Sequence, residues 1–171
     1  MPVERHPRPA ADLPRLAPHL TEVYREFFTA PPWCEPAGAA DDFRSRLVTD
    51  VGRPGFTLVT ARAGASAPSG PLLGFGTAFR SVAPWRTDRS YPEVAARLGP
   101  ERVDKLLLGG LEIDELAVRP AARGAGLGRR ILAELVAAAP DGRAWLLTAR
   151  AAAATVAFYR RAGWRAVPPR S

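Results

Sequence analysis

The residues from Arg123 to Arg130 are the ones whose types and spacing most directly suggest chemistry. They read Arg123-Gly124-Ala125-Gly126-Leu127-Gly128-Arg129-Arg130. Glycine leaves no Cβ between the backbone and a bulky group. A helix starting here would present its first unpartnered N–H groups and its positive dipole end to an anion. With arginines on both sides, the implied ligand is a pyrophosphate. A P-loop needs Lys-Ser or Lys-Thr after its last glycine, where Arg129-Arg130 stands. The dinucleotide fingerprint G-x-G-x-x-G fits Gly124 and Gly126 but meets Arg129 at its third glycine. What remains is Arg-x-x-Gly-x-Gly, carried by Arg123, Gly126 and Gly128. Just upstream lie three carboxylates, Glu112, Asp114 and Glu115, a costly cluster near a buried strand unless solvated or paired.

Two elements must position these groups. Leu111–Val118 alternates as a half-buried strand, which Pro120 ends. Regular alternation puts Glu112 and Asp114 on one face with Leu116 and Val118, and Glu115 on the other. From Leu127 onward, Leu127, Ile131, Leu132, Leu135, Val136 and Ala139 recur at helical spacing, with Arg129, Arg130 and Glu134 opposite. Pro140-Asp141-Gly142 stops that helix. Arg143–Ala149 reads as a buried strand, and a strand-helix-strand crossover makes it parallel to the first.

The rest of the chain supplies a frame. Val3–His6 suits a short strand. Asp12 suits an N-cap, with Leu16, Leu20, Val23, Tyr24, Phe27 and Phe28 on one face of a first helix and Pro18 in its first turn. Ala30–Pro36 is a rigid loop. Asp41 would cap a second helix carrying Phe43, Leu47, Val48 and Val51. Phe56–Ala61 and Leu72–Phe79 form a hairpin around a mobile small-residue turn, Gly64–Pro71. The long stretch Arg80–Gly110 should not lack structure. Its apolar residues suggest two short helices broken at Gly99-Pro100. Ala151–Ala162 is an alanine-rich helix with Gly163 as its C′ residue. Trp164–Val167 is a final strand, ended by Pro168-Pro169.

Composition narrows the function classes. At 171 residues and 47% hydrophobic, one globular domain is expected, spanning 1–171 with a helical insert at about 80–110. No apolar run is long enough to cross a membrane, and no secretory signal layout is visible. The single cysteine, Cys34, cannot form an internal disulfide, which fits a cytoplasmic protein. His6 and His19 are too isolated to suggest a metal site. The net charge of +7 invites a nucleic-acid partner. However, the charge is almost all arginine, spread along the chain, and suits a small anionic ligand as well; no nucleic acid is expected.

Arg123-x-x-Gly126-x-Gly128, behind a strand ending Leu116-Ala117-Val118-Arg119-Pro120, resembles the coenzyme-A signature of the GCN5-related N-acetyltransferases, the GNAT superfamily. Phe158-Tyr159-Arg160-Arg161-Ala162-Gly163-Trp164 is similar to that family's second motif, F-Y-x-x-x-G-F, with Trp for Phe. The element order β-α-α-β-β-β-α-β-α-β extends the likeness along nearly the whole chain, although only Leu116–Leu135 and Phe158–Trp164 carry specific motifs. The resemblance implies an α/β fold: a mixed, mostly antiparallel sheet with a splayed parallel pair (the central strand and the one after it) and helices on both faces.

It also implies a function, transfer of an acetyl group from acetyl-CoA to a primary amine of a small molecule by direct attack, without a metal. Leu116, Ala117 and Val118 would meet pantetheine through their backbone. Arg123, Gly124, Ala125, Gly126, Leu127, Gly128 and Arg129 would hold the pyrophosphate, and Phe158 belongs to the same cofactor site. Tyr159 would protonate the leaving thiolate as general acid, keeping its proton at neutral pH. Glu112 or Asp114 would act as general base, directly or through water. Trp33, Glu35, Trp85 and Tyr91 would line an acceptor pocket suited to an apolar or cationic amine. Two departures stand out: Ala152 replaces an asparagine that usually helps hold the cofactor, and the chain ends soon after the sixth strand. The second leaves one side of the acceptor pocket open or completed by another subunit, as in a homodimer. The alternative is a non-catalytic acyl-CoA-binding sensor or partner module with the same fold.

Overall fold

The computed structural model describes residues 1–64 and 70–171. The sheet holds β1 (Val3–Arg5), β2 (Thr57–Arg62), β3 (Leu72–Arg80), β4 (Leu111–Val118) and β5 (Ala144–Leu146), side by side in chain order. Neighbours are antiparallel except β4 and β5, which are parallel. The centre of the expected turn at Gly64–Pro71 lies outside the described residues. Among the described residues, no helix is long and apolar enough to cross a membrane.

Helices cover both faces. On one, α1 (Pro9–Thr29) and α2 (Ala39–Asp50) bury Leu16, Leu20, Val23, Phe43 and Leu47 against Leu58 and Phe75 of the sheet. Phe43 stacks on Tyr24 at 4.4 Å and meets Phe75 at 5.4 Å. Between β3 and β4 run α3 (Tyr91–Leu98) and α4 (Pro100–Arg102), the latter continued by a π-helical turn, Val103–Leu107. The other face takes α5 (Leu127–Val136) and α6 (Ala153–Arg161). Ile131 and Leu135 of α5 pack directly on glycines of β3. A Cβ on Gly76 would stand 2.9 Å from Ile131 Cγ2, so the helix sits where no side chain intervenes.

Several local expectations need correction. Helix α1 begins at Pro9 and contains Pro14 and Pro18, so Asp12 lies in its first turn instead of capping it. There Asp12 faces His6 Nδ1 at 3.2 Å, while His6 Nε2 meets Thr60 Oγ1 at 2.8 Å. Gly38, not Asp41, precedes α2, and Val48 points to solvent, 72% exposed. Strand β5 stops at Leu146, short of Ala149. Trp164–Val167 forms no strand. Prolines 168 and 169 lack the donors a ladder needs, and the tail bonds elsewhere: Arg170 N donates to Arg97 O at 2.9 Å and Arg102 to Pro168 O at 2.8 Å.

The largest correction concerns β4. Its register against β3 pairs Glu115 with Thr77 but Ile113 with Ala78, so Asp114 is an extra, unmatched residue. Such a β-bulge resets the alternation. Leu111 and Ile113 face α5 before it, and Leu116 and Val118 face α5 after it. Glu112 lies opposite Phe79, and Glu115 opposite Thr77, with Ala117 next to Phe75 in the α1/α2 core. Glu112 and Glu115 therefore share the α1/α2 face, opposite Leu116 and Val118.

A Cβ on Gly74 would lie 2.9 Å from the Ala117 carbonyl oxygen and 3.1 Å from Val118 Cγ2. Backbone cannot yield as a side-chain tip can, so Gly74→Ala should cost about 1–3 kcal/mol. Urea denaturation checks this; an unshifted midpoint would contradict such close packing of β3 and β4.

Candidate active site

The glycine turn becomes a cradle at the start of α5. Gly124 and Gly126 have φ of +86° and +76°, where side chains are strained, and the space in front of both is open. Among the described residues, no side chain caps α5. Its first N–H groups and dipole therefore remain available to an anion. The cradle is anchored from both sides. Arg119 Nε donates to Leu72 O at 2.7 Å, and its guanidinium reaches Glu22 and Glu26 on α1. Arg123 lies over the Phe27 ring at 5.4 Å. Arg129 donates to Arg161 O at 3.2 Å, and Arg130 to Met1 O at 2.8 Å. Phe158 of α6 sits behind Gly128, its ring 3.5 Å from where a Cβ would be.

Beside the cradle the sheet splits. Strands β4 and β5 pair only from Leu111 to Ile113. Arg119 N donates to Leu73 O, so Ala117 and Glu115 also turn their backbone groups toward β3. Leu116 and Val118 turn theirs the other way, toward the side that β5 has left. Tyr159 stands on α6, packed between Phe158 and Trp164 at 5.1 and 6.0 Å. Burial, with the charge of Glu115, pushes its phenol up to about 12.

The three acids of β4 each have a partner. Tyr91 Oη donates to the Glu112 carboxylate, 2.7 and 2.8 Å from its two oxygens. Arg89 donates to Asp114 at 3.1 Å, and Arg46 of α2 donates to Glu115 at 3.3 Å. Burial pushes the Glu112 carboxyl up to about 8, reinforced by Asp114 and opposed by the Tyr91 hydrogen bond and by Arg89 and Arg86. Burial and Asp114 also hold Glu115 well above the usual carboxylate range.

The four aromatic and acidic residues expected around an acceptor fall into two groups. Trp85 meets Tyr91 edge-on at 5.4 Å and Trp145 at 5.8 Å, beside Glu112. Trp33 instead packs on Phe28 at 5.5 Å, and Glu35 accepts from Tyr24 at 2.8 Å. Sequence reasoning missed Arg46, Arg86 and Arg89, which face the acids. In an arginine-rich chain their only sign was that buried carboxylates need cationic partners. Ala152 is buried at the start of α6 and offers no polar side chain there. Among the described residues, no His, Cys, Asp and Glu cluster has metal-site geometry.

The family model for the acetyltransferase (GNAT) domain matches residues 93–166, which include β4, the cradle, β5 and α6. Over that stretch the chain is similar to that family's domain. Solved structures share the fold of this chain across nearly its whole length. PH1933 from Pyrococcus horikoshii OT3 is 12% identical, with a TM-score of 0.62 over 99% of this chain and 93% of that one. The aminoglycoside N-acetyltransferase AAC(6')-Iy in complex with CoA is 11% identical, with a TM-score of 0.58 over 99% and 90%. The aminoglycoside acetyltransferase meta-AAC0020, from an uncultured soil metagenomic sample and in complex with trehalose, is 14% identical, with a TM-score of 0.57 over 99% and 91%. At these identities the likeness establishes the fold. No curated protein matches the chain by sequence.

The raised carboxyls have a consequence for stability. Between its ordinary value of 4.5 and about 8, the Glu112 carboxyl of the folded chain holds a proton that the unfolded chain releases, and Glu115 is shifted in the same direction. Stability should therefore fall as pH rises through this window. Glu112→Gln removes one such group and should flatten the slope in urea melts. An unchanged slope would contradict the raised Glu112 carboxyl.

Proposed function

We propose that the protein transfers the acetyl group of acetyl-CoA to a primary amine of a small molecule by direct attack. The observation that carries this is the open glycine cradle beside the gap in the sheet, with Tyr159 packed on α6 nearby. The residues present fit the cofactor. Open space before Gly124 and Gly126, uncapped N–H groups and the Arg123 and Arg129 charges suit a pyrophosphate. Leu116 and Val118 offer a strand edge to the pantetheine amides, as in β-augmentation, with Ala117 between them and Phe158 backing Gly128. Acetyl-CoA, when bound, supplies the thioester carbonyl that the amine attacks.

The chain's own residues handle the protons. An amine must be neutral to attack, so a carboxylate must take its proton. Asp114 is engaged by Arg89, whereas Glu112 has a proton affinity raised into the range of a working base. Glu112 therefore takes the role of base. Tyr159, which keeps its proton at neutral pH, donates it to the departing sulfur. The acceptor enters between β4 and the insert, where Tyr91, Trp85 and Trp145 give an apolar wall and the acids attract a cation. Two of the GNAT neighbours are named aminoglycoside acetyltransferases, which supports an amine-bearing small molecule as acceptor. Trp33 and Glu35, packed on Phe28 and Tyr24 of α1, line neither pocket there.

Calorimetric titration should show saturable one-to-one binding of acetyl-CoA, lost in Gly126→Leu while the fold persists by circular dichroism. Tyr159→Phe should keep that affinity but lower amine-dependent thiol release by about 10²-fold or more. Unchanged affinity in Gly126→Leu would overturn the cradle. Tight binding without turnover on a broad amine panel would make the protein an acyl-CoA-binding module instead.

A further inference from the structure

Tyr91 is the point where the insert touches the carboxylate assigned above as base. Its hydroxyl lies 2.7 and 2.8 Å from the Glu112 oxygens and accepts from Arg86 Nη1 at 3.0 Å. Arg86 is itself fixed. Two of its nitrogens bond Asp88 at 2.9 and 2.5 Å, and its Cζ lies 4.4 Å from the Tyr91 ring centroid. The Trp85 indole donates to the Tyr91 carbonyl at 2.8 Å, tying the same turn down from its other side. Tyr91 is 5% exposed and Glu112 7%, so the bond between them is interior, while the Arg86–Asp88 end of the chain reaches the surface.

The pair also forms a partition. One pocket, of about 80 Å³, has Tyr91 and Glu112 in its wall together with Arg89, Asp114 and Trp145. A second, of about 140 Å³, has the same two residues together with Arg53, Arg80, Ser81 and Arg86. The first opens beside the split in the sheet; the second opens on the arginine side of the insert.

A phenol has one proton to give. A carboxylate accepts it better than a neutral carboxyl does, so the bond favours the ionised acid. A guanidinium donating to the phenol oxygen polarises it and strengthens that donation. We infer that Tyr91 and Arg86 are positioning residues for Glu112: they fix its carboxylate between the two pockets and set the pH range in which it is ionised. This rests on Glu112 being the base. The other charges facing Glu112 are Asp114 on its own strand, which opposes ionisation, and Arg89 of the insert, which favours it. Arg53, after α2, and Arg80, on β3, line the second pocket. Through Tyr91 and Arg86 the insert thus tunes the chemistry as well as walling the acceptor.

The test reads Glu112 in two independent ways. Its carboxyl is titrated by ¹³C NMR in glutamate-labelled protein, with Glu112→Gln identifying the resonance. The pH dependence of kcat/KM is measured in the same variants. Loss of one hydrogen bond to a charged group should move the Glu112 midpoint up by about one to two pH units in Tyr91→Phe. The rising limb of the rate profile should move with it. Arg86→Met should shift both in the same direction, and Arg86→Lys should restore most of the wild-type midpoint. Arg86 is only part-buried, so its variants carry the test if Tyr91→Phe does not fold. An unmoved NMR midpoint, or a uniform fall in rate at every pH, would reduce Tyr91 to a structural contact and overturn the inference. A midpoint that moves while the rate limb stays would remove Glu112 as base, and the inference with it.

Discussion

Parallel pairing between β4 and β5 lasts from Leu111 to Ile113 and then ends, while β4 continues to Val118. The arrangement at the site depends on that parting. A strand inside a sheet spends its backbone groups on both neighbours. Past Ile113, β4 keeps β3 on one side only, where Arg119 N still bonds Leu73 O. Its other side is left to whatever enters the gap. The same strand leads through Pro120 into the glycine turn, so the open edge and the anion cradle are consecutive parts of one chain segment. Helix α5 must lie close to hold that turn in place. Gly74 and Gly76 allow it to, because their missing side chains leave room for Val118, Ile131 and Leu135.

The bulge at Asp114 is the second organising feature. By resetting the alternation, it puts Glu112 and Glu115 on the α1/α2 face, opposite Leu116 and Val118. Burying acids so close together is costly. The fold meets that cost with one donor for each: Tyr91 for Glu112, Arg89 for Asp114 and Arg46 for Glu115. Two of these donors come from the segment between β3 and β4, and the third from α2. The Glu112 and Glu115 carboxyls still sit high, because burial outweighs their partners. A raised proton affinity suits a buried carboxylate to proton transfer near neutral pH.

How much of this was legible depends on the kind of signal each feature leaves. Helix α5 and the turn before it were plain, since Leu127, Ile131, Leu132 and Leu135 keep a helical period and the glycines are unambiguous. The mixed sheet with its parallel pair followed from the strand-helix-strand order. The face of Glu112 was not legible, because a bulge is one extra residue with no compositional mark and regular alternation is the natural default. The tail was misread because Trp164–Val167 has strand-like residues. In the fold the tail turns to the insert, with Arg170 bonded to Arg97 O. Arg46, Arg86 and Arg89 were hidden for a statistical reason: in a chain whose cations are nearly all arginine, none stands out until the acids it faces are placed.

We propose that the β4 edge beside the cradle is left open to receive the pantetheine arm. Amide hydrogen exchange tests this most directly, followed residue by residue by NMR with and without saturating acetyl-CoA. The account predicts that the Leu116 and Val118 amides slow markedly on binding, while Ala117 and Arg119, which face β3, change little. Acetyl-CoA that binds yet leaves Leu116 and Val118 exchanging at their free rates would contradict it.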